Sequence, residues 1–267
     1  MYPLIRYANT LLTCGLIVAA ANLAAGNPSP GPTTFVYVAP GSFQPLLKDK
    51  SQITEVKVDA FLLEDAPVTN ADYLRFVQEN PRWQRSHVAP LFADSNYLAH
   101  WKSDLELGDF APPQAPVVNV SWFAARAYAR WNKARLPSTN EWERVAQAGF
   151  DYLKGRDDPA WVAAVNQWLA IPTPSAEPNV KLLRPNVLGL YDVNLLVWEW
   201  VEDFNSAMAT GDSRGDSSLD RALFCGAGAI GARDPSDYTA FLRAAMRSSL
   251  RADYCLPNLG FRCARNP

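Results

Sequence analysis

The groups in this sequence with chemistry to offer are few. With Cys14 inside an apolar leader, the remaining thiols are Cys225, Cys255 and Cys263. Cys225 stands just before a glycine turn, Gly226-Ala227-Gly228. As a thiolate it would bind copper or act as a redox group; buried, it would be a small hydrophobe or a disulfide partner. Three cysteines allow one bridge and one leftover thiol, and spacing alone leaves the pairing open. His87 and His100 are the only histidines, and Asp94, Asp104 and Glu106 lie close to them in sequence. Two imidazoles and one carboxylate make a set that iron accepts. There is no C-x-x-C, and neither histidine neighbours a cysteine, so the ligand spacings of zinc sites are missing. Glu199, Glu202 and Asp203 form a further acidic cluster of the type used in acid–base hydrolysis.

The elements that must position these groups are short. Phe35-Val36-Tyr37-Val38 predicts a strand ended by Pro40-Gly41, and Val56 to Leu63 predicts a second. A helix is expected from Thr69-Asn70, with Tyr73, Phe76 and Val77 on one face, ending at Asn80-Pro81. The stretch from Arg82 to Pro116 is irregular, and loops of that length are functional or packed by their own aromatics. Pro116 to Val120 reads as a buried strand running into Ser121, the N-cap of a helix from Trp122 to about Lys133. Ser138-Thr139-Asn140-Glu141 is a capping box for a helix that stops at Gly149. Beyond it the chain reads as irregular, with turns at Asp157-Asp158-Pro159 and at Pro172 to Pro178.

Composition narrows the class. Of 267 residues 48% are hydrophobic, enough for one large core, and the formal net charge is -2, without the basic stripe of a nucleic-acid binder. The 21 prolines and 9 tryptophans point to a loop-heavy domain held by aromatic packing. Arg6, the apolar run from Leu11 to Ala21 and the small residues after it read as a secretory signal. The expected organisation is a signal peptide over 1–25, a Pro/Gly/Ser linker over 26–34 and one domain over 35–267. The mature protein is expected to be periplasmic or secreted, with no membrane span after cleavage.

Five segments in order carry a resemblance. They are Phe35 to Phe43; Val68 to Tyr73; Pro116 to Trp142, PVVNVSWFAARAYARWNKARLPSTNEW; Asn186 to Trp200, NVLGLYDVNLLVWEW; and Asn258 to Cys263, NLGFRC. Together they resemble the sulfatase-modifying-factor family, which includes the formylglycine-generating enzymes, iron-dependent sulfoxide synthases and a pyoverdine-maturation protein of the periplasm. The match spans almost all of the expected mature chain. It implies an α+β, C-type-lectin-like fold: a small twisted antiparallel sheet, a few helices and much irregular chain.

The resemblance also says where chemistry would sit. The formylglycine-generating enzymes bind copper through two cysteines in the stretch matching Gly226 to Ser248, and this chain has no cysteine there. That implies loss of the two-cysteine copper mechanism and turns attention to Cys225. The cysteine that often pairs with the one matching Cys263 is replaced by Ala129, which makes Cys255–Cys263 the implied disulfide. In relatives the turn matching Tyr191 to Glu199 wraps a structural calcium. Carried over, Asp192 and Glu199 would bind it through carboxylates, and Leu195 and Val197 through carbonyls. Arg247 and Arg262 match arginines that pair with buried carboxylates. Two functions follow: an oxidoreductase-type maturation factor acting on an exported protein or small metabolite, with copper or iron as the metal, or a non-catalytic binding or accessory module for an exported redox enzyme such as a copper nitrite reductase.

Overall fold

A computed structural model describes residues 34–46, 55–205 and 238–267. The expected leader, most of the linker, and Cys225 with its glycine turn lie outside the described residues. The fold is α+β, as expected, with small sheets and five α-helices among the described residues. No described helix is long and apolar enough to cross a membrane.

The principal sheet has three antiparallel strands: β1 (Phe35–Val38), β4 (Phe61–Glu64) and β7 (Ala264–Arg265), in the order β1-β4-β7. Pairing of Phe35 with Glu64 and of Leu62 with Arg265 ties the two ends of the domain to one central strand. The single strand expected over Val56 to Leu63 is divided. Its first part, β3 (Val56–Val58), pairs with β2 (Gly41–Phe43), while β4 pairs with β1. Two ladders thus share one stretch of chain, with Asp59-Ala60 as the joint. A parallel pair, β5 (Trp198–Glu199) with β6 (Leu259–Gly260), joins the acidic cluster to the C-terminal segment.

Helix α1 (Asn70–Glu79) starts at Thr69, whose hydroxyl accepts the Asp72 amide, and buries Tyr73, Phe76 and Val77 as expected. Helix α2 (Trp122–Trp131) is capped by Ser121. Helix α3 (Thr139–Ala146) carries the full capping box: Ser138 Oγ accepts from Glu141 N at 3.2 Å and Glu141 Oε2 accepts from Ser138 N at 2.8 Å. Replacing Ser138 with alanine leaves the Glu141 amide without its cap and is expected to cost about 1 kcal/mol, read as a lower urea midpoint with an unchanged m-value.

Three expectations are corrected. Ala115 to Val120 is buried, but only Pro116 forms a bridge, to Thr69. Asn119 takes a left-handed conformation at φ 54, which breaks any extended run, and its amide donates to Leu256 O. Asp157-Asp158-Pro159 is a helix start, not a simple turn. Asp158 accepts from the amides of Ala160 and Trp161, and Pro159 opens α4 (Pro159–Ala170). The chain from Tyr238 to Ser249 forms α5.

The core is aromatic. Tyr73 stacks on Tyr128 with ring centroids 5.7 Å apart, and Phe261 meets both edge-on. Tyr97 donates to Trp83 O at 2.9 Å, so Tyr73 donates to Tyr97 across their 2.8 Å contact. Both phenols are satisfied inside the core without water.

Candidate functional site

A cavity of about 370 Å³ lies between α1, the loop that follows it and α2. Its making begins with the two faces of α2. Ala124, Ala125, Tyr128 and Ala129 are buried on one face. The other stripe, Trp122, Phe123, Arg126, Ala127 and Arg130, lines the cavity. That stripe follows the three- and four-residue spacing of a helix. Opposite stand Phe76, Trp83, His87 and Phe92. The rings form a continuous arc: Phe76–Trp83 at 6.4 Å, Trp83–Phe92 at 6.2 Å, Phe92–Phe123 at 5.4 Å and Phe123–Trp122 at 5.4 Å between centroids.

Guanidinium groups lie over this arc. Arg82 sits 5.3 Å from the Trp83 ring centroid and Arg126 sits 4.9 Å from that of Trp122. Arg126 also pairs with Glu202 at 2.7 Å. Arg130 lies exposed on the rim. No acidic side chain lines the cavity. The sequence reading missed this site because it looked for titratable ligands. The legible signal was the second stripe of α2, two aromatics followed by two arginines at helical spacing.

The two histidines are not brought together. His87 lines the large cavity, with Nδ1 3.2 Å from Pro81 O. His100 lines a separate pocket of about 40 Å³, which it shares with Asn70, Asn119 and Glu177. Asn70 Oδ1 receives Trp101 Nε1 at 3.0 Å and lies 3.3 Å from His100 Nε2. Burial holds the His100 imidazole down at about 4 and pushes the Glu177 carboxyl up to about 7. The carboxylates proposed beside the histidines are engaged elsewhere. Asp94 accepts the amides of Asn96 and Cys255, Asp104 holds Ser86, and Glu106 pairs with Lys102. No group of three or more His, Cys, Asp or Glu among the described residues could hold a metal. An iron site from these histidines is therefore not assembled.

The implied disulfide is not formed either. Cys255 and Cys263 are both free, buried thiols. Cys255 Sγ points to Asp253 O at 3.5 Å, whereas Cys263 lies against Glu64, whose Oε2 accepts its amide at 2.7 Å. Burial pushes both thiols far above the ordinary range, which favours the protonated form over a thiolate.

Both carboxylates of the turn expected to hold calcium are engaged by protein donors. Asp192 accepts the amides of Lys181 and Leu182, the latter at 3.1 Å. Glu199 receives Arg262 Nε and Nη2, each at 2.8 Å, and Trp142 Nε1 at 3.0 Å. Leu195 gives its amide to Asp192 O, and Val197 is buried against Leu196 and Val180. Calcium takes six to eight open oxygen ligands. Here one carboxylate is neutralised by a guanidinium and the other is capped by amides, so this set does not fit the ion. Arg247 pairs with Glu143, and Arg262 with Glu199, as the resemblance implied. The third member of the acidic cluster, Asp203, caps α3 by accepting the Thr139 amide. The cluster is structural.

Comparison with known proteins agrees with this frame. The sulfatase-modifying factor enzyme 1-like domain matches residues 20–267. The chain is 30% identical over 263 residues to a formylglycine-generating enzyme of Streptomyces coelicolor, a match covering 81% of this chain and 82% of that protein. It is 30% identical over 251 residues to the inactive C-alpha-formylglycine-generating enzyme 2 of Mus musculus, covering 79% and 76%. The solved structure of PvdO from Pseudomonas aeruginosa shares the fold at a TM-score of 0.50 and 18% identity, covering 90% of this chain and 100% of that one. The match of the family model over residues 20–267 shows that this chain belongs to the sulfatase-modifying factor enzyme 1-like family.

Proposed function

We propose that this chain is an exported, periplasmic binding or accessory member of its family. On this reading it holds a small ligand in the cavity beside α2 and does not carry out two-cysteine copper chemistry. The observation that supports this is the 370 Å³ cavity itself, built from a ring arc and guanidinium groups with no acid among its lining residues. Its size falls within the roughly 300–1,000 Å³ of small-molecule sites. The described groups that oxidative chemistry would recruit are committed to the fold: two buried thiols, and a Glu199 carboxylate engaged by Arg262. A relative named as inactive shows that the family includes members that keep the domain without the activity. The oxidoreductase-type maturation factor, with Cys225 as its reactive group, is the competing reading.

The test loads the purified mature protein and its Cys225→Ser variant with copper(I), then follows oxygen uptake with a cysteine-containing peptide. The expected result is no stoichiometric copper that depends on Cys225 and no peptide-dependent oxygen uptake. One copper per chain, lost in Cys225→Ser, together with peptide-dependent uptake would establish the maturation enzyme instead.

A further inference from the structure

We infer that the cavity beside α2 takes a small molecule in which an aromatic ring carries a carboxylate or similar anionic group. The inference rests on the binding reading above and names the ligand class.

The walls argue for the ring. Trp83, Phe92, Phe123 and Trp122 present edges and faces at centroid separations of 5.4 to 6.2 Å. These are the spacings at which aromatic rings meet edge-to-face, so a planar guest would extend an arrangement already present. Phe92 remains 40% exposed, which leaves apolar surface for a guest to cover.

The charges argue for the anion. Arg82, Arg126 and Arg130 all line the cavity and no acid does. Arg126 is the only one of the three that an ion pair engages among the described residues, through Glu202. The Arg82 and Arg126 guanidinium carbons stand 5.3 and 4.9 Å from the centroids of the Trp83 and Trp122 rings, which places both cations beside the ring arc. Arg130 stands one helical turn beyond Arg126 on the same stripe. A carboxylate entering beside the ring arc would therefore meet guanidinium donors that suit it in a bidentate manner. A cationic or neutral aromatic would bury the same rings but leave those donors unused or opposed.

The experiment is isothermal titration of the full mature protein with 2-naphthoate, 2-naphthylmethanol and 2-naphthylmethylamine. Naphthoate is expected to bind at one site at least tenfold more tightly than the alcohol, with the amine weakest. Arg130→Ala, an exposed position that the fold does not need, is expected to weaken naphthoate about fivefold and leave the alcohol unchanged. Phe123→Ala is expected to weaken both. Equal affinity for acid and alcohol, or tighter binding of the amine, would overturn the anionic class while leaving the binding reading in place. No saturable heat with any of the three would remove that reading and this inference together.

Discussion

Replacing Arg262 with alanine is expected to cost about 3–5 kcal/mol, the range found when one partner of a buried ion pair is removed. Arg262 is fully buried and Glu199 nearly so. The guanidinium bonds both Glu199 oxygens, Glu64 O at 3.2 Å and Tyr191 O at 3.0 Å. One side chain thus connects β5, the end of β4 and the turn before Asp192. Without it, Glu199 keeps only Trp142 Nε1 and is left as a buried carboxyl with no cation beside it. A loss of that size is a large share of the about 5–15 kcal/mol by which domains are stable. The double variant Arg262→Met, Glu199→Gln removes the stranded charge and is expected to recover part of the loss in urea unfolding followed by circular dichroism. Equal destabilisation of the single and double variants would show that the stranded charge is not the source.

Stability is expected to peak near pH 4.5 and to fall as the pH rises to about 7. Burial raises Glu64 to about 7, Glu177 to about 7 and Asp192 to about 6. A carboxyl whose folded value lies above its unfolded value takes up a proton on folding. Its native state is therefore favoured below the unfolded value and penalised as the pH climbs to the folded one. For Glu64, moving from 4.5 to about 7, the penalty is roughly 3 kcal/mol. His100, held at about 4, gains stability as the pH rises from about 4 to 6.5 and offsets one of these three carboxyls over that range. Glu143 also works in the opposite direction. Burial opposes its charge, yet Arg243 and Arg247 hold it down at about 2. Its contribution is complete above about 4.5 and is lost as the pH falls toward 2. The check is the urea midpoint across pH 2 to 8, with Glu64→Gln flattening the upper limb. A midpoint that rises from pH 5 to 7.5 would contradict the assignment.

Much of the frame was legible because its signals are local. The caps at Thr69, Ser121 and Ser138 each found the amides their spacing promised. What escaped depends on partners distant in sequence. Val56 to Leu63 alternates as one strand, but Gly41 to Phe43 and Phe35 to Val38 compete for its two halves. Asp158-Pro159 fits a turn as well as a helix start; the apolar-rich run from Ala160 to Ala170 decides. At the site, His87 and His100 belong to one irregular stretch, yet the fold gives one to the large cavity and the other to a 40 Å³ pocket. Glu199 resembles a metal ligand until Arg262, 63 residues away in sequence, is seen to claim both oxygens.

On the proposed binding reading, recognition takes place in the cavity beside α2 without a part for Cys225. Titration of 2-naphthoate into the mature protein and its Cys225→Ser variant, side by side, tests this most directly. One site with the same Kd in both proteins is expected. A tenfold loss of affinity in the variant, or no saturable binding in either protein, would contradict it.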